Sequence, residues 1–212
     1  FHGTSERFID DKLEHVESLD QTRNLLGVGF YTTTGRRTAS DGYTKKGRGT
    51  SPTTYSVSWL GDGNPVVLNA EEVAPQFVRD FFNRNMRGDG WLADYLVPDA
   101  EVFSVLDDPA STTFDIIRAA RRSLSNDMDE TLPRYEVNDI LVDLNIVMRE
   151  NGIDALKHKG GKLRSDAIED HDVYIWLDET KVRVSGLPDA PDLAPRAADE
   201  AAPATSFPST VR

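Results

Sequence analysis

Apolar positions recur at two periods along this chain, and the switch between them marks out the elements. From Val137 to Glu150 the residues Val137, Ile140, Leu141, Leu144, Val147 and Met148 fall on one face at helical spacing, and Asn151-Gly152 supplies a left-handed stop. Thr112 to Ser125 repeats the pattern with Phe114, Ile117, Ala120 and Leu124 behind a Ser/Thr cap. Glu71 to Arg87 does so with Val73, Phe77, Val78, Phe81 and Phe82, and Gly88 and Gly90 end it. A shorter amphipathic helix is predicted over 8–18, with Phe8, Ile9, Leu13 and Val16 on one side.

Elsewhere the period falls to two. Leu25 to Thr33 is apolar and β-prone and is entered through Gly27 and Gly29. Thr54 to Leu60 alternates, and Val66 to Leu68 continues the sheet after a Gly-Asp-Gly-Asn-Pro turn. Ile153 to Lys157, Asp172 to Leu177 and Val182 to Val184 read as the closing strands. Ser40 to Thr50 is rich in Gly, Lys and Arg, helical at its start and a loop at its end. The order predicts an α+β domain with a helical middle segment, since a doubly wound fold would alternate regularly. That domain spans 1–186. Residues 187–212 hold Pro188, Pro191, Pro195, Pro203 and Pro208 among Ala, Asp and Ser, and read as a flexible tail.

Composition narrows the function classes. The chain has 212 residues, enough for one full-sized core. It has no cysteine, which removes disulfides, thiolate metal sites and Cys nucleophiles and fits a reducing cytoplasm. No apolar run approaches the roughly 20 residues that span a bilayer, and with Glu6, Asp10, Asp11 and Glu14 in the first twenty residues no signal peptide is expected there. A net charge of −12 disfavours a nucleic-acid partner. Arg36, Arg37, Lys45, Lys46 and Arg48 form a local basic patch, read either as a solvated loop or as a site for an anionic ligand. Residue 1 is Phe, and a larger gene product is expected around this chain.

Three segments carry candidate chemistry. The first is Phe1-His2-Gly3-Thr4-Ser5. The second is Gly27-Val28-Gly29-Phe30-Tyr31-Thr32-Thr33, followed by Ala39 and Tyr43. The third runs from Gly152 through Asp154, His158 and Gly160-Gly161 to Val173-Tyr174-Ile175-Trp176-Leu177-Asp178 and Val182. In this order they resemble the ADP-ribosyltransferase superfamily, in the diphtheria-toxin and poly(ADP-ribose) polymerase branch, and look like its bacterial and phage-encoded versions. The resemblance covers about residues 1 to 185; from about 70 to 145 it is one of general layout.

The resemblance implies a split β-sheet core flanked by helices, and NAD as the substrate. Tyr31 would stack on the nicotinamide ring and Tyr43 would form the other wall. The backbone of Gly3 would hold the carboxamide, where only a residue without a side chain allows the approach. His2 would bond a ribose hydroxyl of the adenosine half, with Thr4 or Ser5 adding a contact. The implied reaction is loss of nicotinamide and transfer of ADP-ribose to a protein acceptor, as in a mono-ADP-ribosyltransferase, toxin or phage effector acting in a host cytoplasm. The alternative is an inactive binding or structural module of a larger processed protein, such as a virion component.

The acidic position is left open. The family's acid falls at Val173 when Asp178 and Val182 are aligned, and the acid present is Asp172. One residue along a strand reverses the face. Either a bulge re-aims Asp172 into the cleft, or the chain lacks the acid. Glu169, Asp170 and His171 lie near enough to substitute, and read otherwise as a solvated loop. His158 reads either as a ligand contact or, as expected here, as a strand-end surface residue, His15 has no assigned role, and Trp59, Trp91 and Trp176 are expected to pack. No His, Asp and Glu set has metal-ligand spacing. There is also no P-loop, dinucleotide-binding glycine fingerprint or nucleophile elbow.

Overall fold

The computed structural model describes residues 2–4, 26, 29–43, 53–87, 90–96, 100–125, 134–160 and 170–186. The predicted helix over 8–18 and the tail 187–212 lie outside them. The architecture is mixed α and β, with two small sheets and four α-helices among the described residues.

The first sheet is antiparallel, in the order β1 (His2–Thr4), β3 (Thr53–Trp59), β7 (Val182–Gly186). Its alternation is plain in β7, where Val182 and Val184 are buried and Arg183 and Ser185 exposed. The second sheet has the order β2 (Phe30–Thr33), β6 (Asp172–Trp176), β5 (Ala155–Lys159), β4 (Val67–Asn69). Its strands are antiparallel except for β4 and β5, which run parallel. In β6 Val173 and Ile175 are buried, and Asp172, Tyr174 and Trp176 are half-buried.

The main core lies between the second sheet and the helices α1 (Gln76–Met86), α2 (Glu101–Asp107), α3 (Thr113–Ser125) and α4 (Arg134–Glu150). Leu156, Ile175 and Leu177 meet Val78, Phe82, Ile116, Ile117, Leu144 and Met148 there. Burying one such side chain contributes roughly 1.5–3 kcal/mol. The α3 start is a capping box: Asp115 N–H donates to Thr112 Oγ1 (3.1 Å), and Thr112 N–H donates to Asp115 Oδ2 (3.2 Å).

Arg79 of α1 is 8% exposed, and among the described residues no carboxylate pairs with it. Its guanidinium donates instead to the carbonyls of Leu106 (3.0 Å), Asp108 (2.9 Å), Pro109 (3.1 Å) and Ser111 (2.8 Å), and more weakly to Ala74 (3.4 Å). The planar fork thereby satisfies the carbonyls at the end of α2 and delivers the chain to α3.

The two sheets join where β6 runs on into β7. Trp59 stacks on Trp176 with centroids 5.6 Å apart, and Leu60 N–H donates to Lys181 O (2.8 Å). Lys181 pairs with Asp154 at 3.0 Å and Arg149 with Asp178 at 3.3 Å.

Several boundaries differ from expectation. α1 begins at Gln76 rather than Glu71, because Pro75 stands at its N-cap and disfavours helix in the residue before it. Val73 is therefore out of the apolar stripe and 60% exposed. β5 begins at Ala155 because Asp154 is spent on a turn: its N–H donates to Val66 O (2.8 Å) and its Oδ2 accepts from Val66 N–H (2.9 Å). The α2 helix has an uncapped, β-branched sequence that hides it; burial of Val102 and Leu106, one turn apart, holds it in place.

Candidate functional site

The opening strand β1 packs against a short π-helical segment, Thr38–Tyr43, and lies beside β2. Strand pairing sets His2 opposite Tyr55 and Gly3 opposite Thr54. The backbones of His2, Gly3 and Thr4 are thus gathered with the strand of Tyr31 and the helix that ends at Tyr43. Ala39, the second residue of that helix, is fully buried. Single π turns of this kind are uncommon and frequent at functional sites. Ser5 lies outside the described residues.

Tyr31 stands opposite Ile175, and Thr33 opposite Val173. In turn, Leu156 pairs with Ile175 and His158 with Val173. Directly paired residues share a face, so Tyr31, Thr33, Val173, Ile175, Leu156 and His158 line one side of the sheet. Tyr31 is half-buried and packs against the helical core on that side. The α3 helix lies across it: Phe114 meets His158 with rings 6.2 Å apart, and Arg121 is within electrostatic reach of the Tyr31 phenol. Burial pushes the Arg121 guanidinium below its ordinary value.

His158 is 8% exposed, a correction to its expected surface place. The Phe114 ring and the sheet enclose it. Its Nδ1 lies 2.9 Å from Lys159 O; a carbonyl only accepts, so Nδ1 carries a proton. His171 is buried and belongs to the same side, two residues before Val173. Its ring fills the space that a side chain at Gly160 would need.

Asp172 is on the other side. The β2–β6 and β5–β6 ladders run without a bulge from 172 to 176, so the pleat turns Asp172 away from Tyr31 and leaves Val173 where the resemblance expects an acid. The Asp172 carboxylate is 18% exposed and is held by Lys159 Nζ (2.7 Å) and Lys157 Nζ (3.0 Å). The Lys159 and Lys157 ammoniums outweigh burial and hold it below the usual carboxylate range. Both lysines are raised by the same carboxylate. Asp172 N–H donates to Thr34 Oγ1 (2.9 Å), which ties this corner to the end of β2. Asp172 is thus a neutralised structural anion that does not meet Tyr31.

The same side of β6 carries an aromatic row. Tyr174 stacks on Trp176 (6.0 Å), Trp176 on Trp59 (5.6 Å), and Trp176 Nε1–H donates to Thr32 Oγ1 (2.9 Å). Trp59 and Trp176 are half-buried, as packing residues would be. Glu169, Lys45, Lys46 and Arg48 lie outside the described residues; Asp170, Arg36 and Arg37 are exposed.

Arg121, which the sequence analysis passed over, stands half-buried on α3 within electrostatic reach of Tyr31, and Arg118, one turn away, is half-buried too. Their signal was readable, since Phe114, Arg118 and Arg121 recur at four and three residues and so form one stripe of a helix.

Comparisons with protein-family models, curated proteins and solved structures return no match. Among the described residues no group of three or more His, Asp or Glu could hold a metal ion, and no helix is long and apolar enough to cross a membrane.

Proposed function

We propose that this chain recognises NAD in the manner of an ADP-ribosyltransferase and transfers ADP-ribose to a protein acceptor in the cytoplasm. The observation that supports the reading is the gathering of β1, β2 and the Thr38–Tyr43 helix, elements that come from the first two of the three segments that carry the resemblance. In this reading the Gly3 backbone holds the carboxamide, Tyr31 and Tyr43 flank the ring, and His2 with Thr4 or Ser5 takes the ribose. The nicotinamide–ribose bond breaks with its electron pair leaving on nicotinamide. The ribose carbon gains positive charge, and the acceptor's lone pair then bonds to it while the acceptor proton passes to solvent or a nearby base.

The test is incubation of the protein with labelled NAD and cell lysate, against His2→Ala and Tyr31→Ala. Acceptor labelling and nicotinamide release above both variants are expected. Equal signals from all three proteins overturn the reading.

A second reading has its own observation. With Val173 at the expected acid position and Asp172 bound to two lysines on the opposite side, the fold would serve as an inactive binding or structural module. Calorimetry separates the two: NAD binding without nicotinamide release favours a binding module, and no binding at millimolar NAD favours a structural one.

A further inference from the structure

The last turn of α4 is closed by the single Asn-Gly pair in the sequence, Asn151-Gly152. Asn151 follows Glu150, the last helical residue, and Gly152 has a φ of 77°. Gly152 N–H donates to Arg149 O (2.9 Å), and Ile153 N–H donates to Met148 O (3.0 Å). This crossed pair of bonds is a Schellman cap, with the glycine in the left-handed region that a side chain disfavours. Ile153 joins Val147 and Met148 in the main apolar cluster and so fastens the cap from the core side. The Asn151 side chain turns back along the helix, where its Nδ2–H donates to Val147 O (2.8 Å). Asn151 and Gly152 are both exposed.

An asparagine followed by glycine is the pairing in which the side-chain amide is most open to attack by the main chain, since no Cβ on the next residue shields its nitrogen. The Gly152 nitrogen bonds to Asn151 Cγ, the Cγ–Nδ2 bond breaks, and the amide leaves as ammonia with the proton of the glycine nitrogen. The product is a five-membered succinimide, which water then opens. Attack at Cγ gives Asp. Attack at the Asn151 main-chain carbonyl gives isoaspartate, in which the chain runs on through the side chain. Water is the only co-reactant, and an exposed site supplies it.

Both reacting groups are occupied in the fold. The N–H of the nucleophile is given to Arg149 O, and the amide to be expelled is bonded to Val147 O. Ring closure breaks both bonds and the cap with them. The step therefore waits on local opening, which at a helix end takes less free energy than unfolding the core.

We propose that Asn151 is a succinimide-forming modification site that the α4 cap holds shut, so that its conversion to Asp and isoaspartate reports how often the last turn of α4 opens. The consequence reaches the second sheet. Ile153 and Asp154 alone separate Gly152 from β5, and Asp154 is bonded to Val66 and Lys181. Isoaspartate lengthens the main chain by one atom at this junction. Either product adds a carboxylate at the negative end of the α4 dipole.

The experiment incubates the whole chain at mildly alkaline pH, folded and in guanidinium chloride. Mass spectrometry follows the peptide that holds Asn151, and enzymatic methylation scores isoaspartate. Ile153→Ala loosens the cap and leaves the Asn-Gly pair intact; circular dichroism confirms that the variant is folded. The native chain is expected to convert about tenfold or more slowly when folded than when unfolded. Folded Ile153→Ala should convert about threefold or more faster than the folded native chain, and at the native rate in guanidinium chloride. A folded native chain that converts as fast as the unfolded one overturns the protection. A folded Ile153→Ala chain no faster than the native one shows that the cap is not the guard. If Asn151 keeps its amide even in guanidinium chloride, the modification site itself is overturned.

Discussion

Tyr31 and Asp172 stand on opposite faces of one sheet. Tyr31 pairs with Ile175 across the β2–β6 ladder, and Asp172 lies an odd number of residues from Ile175 along an unbroken strand. A carboxylate on one face cannot stabilise a cation that forms on the other, because the backbone layer and the buried side chains stand between them. The residue that shares the face of Tyr31 is Val173, flanked by Thr33 and His158.

Val173→Glu would place a carboxylate on the Tyr31 side, next to His158 and near His171. If the NAD reading holds, nicotinamide release should rise about tenfold or more over the native chain, with Val173→Gln as the uncharged control. Ten-fold corresponds to about 1.4 kcal/mol of transition-state stabilisation. Val173 is 4% exposed, so the variant should also lose stability, by about 1–3 kcal/mol. Equal release from the Glu and Gln variants would sink the idea that this position controls turnover.

Asp172 makes acid stability a local measurement. Its folded value lies below the ordinary one, so its contribution is complete above the unfolded value of about 3.9 and is lost as pH falls through the lower folded value. The partner lysines have the opposite sign: theirs is complete below about 10.4 and is lost as pH rises through the raised folded values. Asp172→Asn should therefore cost about 0.5–1 kcal/mol at neutral pH and less at pH 3, read from urea midpoints. Binding of NAD should change less than twofold.

Arg79 is a keystone of the helical layer. Arg79→Ala leaves the carbonyls of Leu106, Asp108, Pro109 and Ser111 without their donor and should cost about 3–5 kcal/mol. Arg79→Lys keeps the charge and loses the fork, so about half of that loss is expected. A lysine variant as stable as the native chain in denaturant would show that charge alone suffices.

Gly160 and His171 share one space. A methyl group at 160 would run into the His171 ring, so Gly160→Ala must move that imidazole or the strand end. A loss of about 1–3 kcal/mol is expected, as for other overpacked sites. Proton NMR of the His171 ring should shift in the same variant, and an unchanged resonance would contradict the packing.

Much of the layout was legible where periodicity and caps agree. The α3 stripe of Phe114, Ile117, Ala120 and Leu124 needed only spacing, and the Thr112–Asp115 capping box fixes its start. The late strands were readable from their β-branched and aromatic residues. The α2 helix was not, because its helical state comes from burying Val102 and Leu106 against α3, a tertiary effect that overrides propensity. Val73 failed for the converse reason: its spacing fits a helix that Pro75 does not allow to begin there.

The candidate site was legible as segments and illegible as faces. The sequence brings His2, Tyr31 and Tyr43 into one discussion by motif, and strand adjacency brings their backbones together. Which way Asp172 turns depends on whether a bulge interrupts β6, and that is decided by the partner strands. Lys157 and Lys159, two residues apart on β5, hold the acid on their own face and remove any electrostatic reason for a bulge. Arg118 and Arg121 were missed because charges on a helix are ordinarily read as its solvated side.

The Trp59–Trp176 stack equips the molecule with an optical reporter. The two indoles belong to different sheets, so their fluorescence and their coupled near-ultraviolet signal depend on the seam between the sheets remaining shut. A ligand or denaturant that parts the sheets while leaving each intact would be visible at that wavelength before the far-ultraviolet spectrum changes. The order of these two events can be followed without attaching any label.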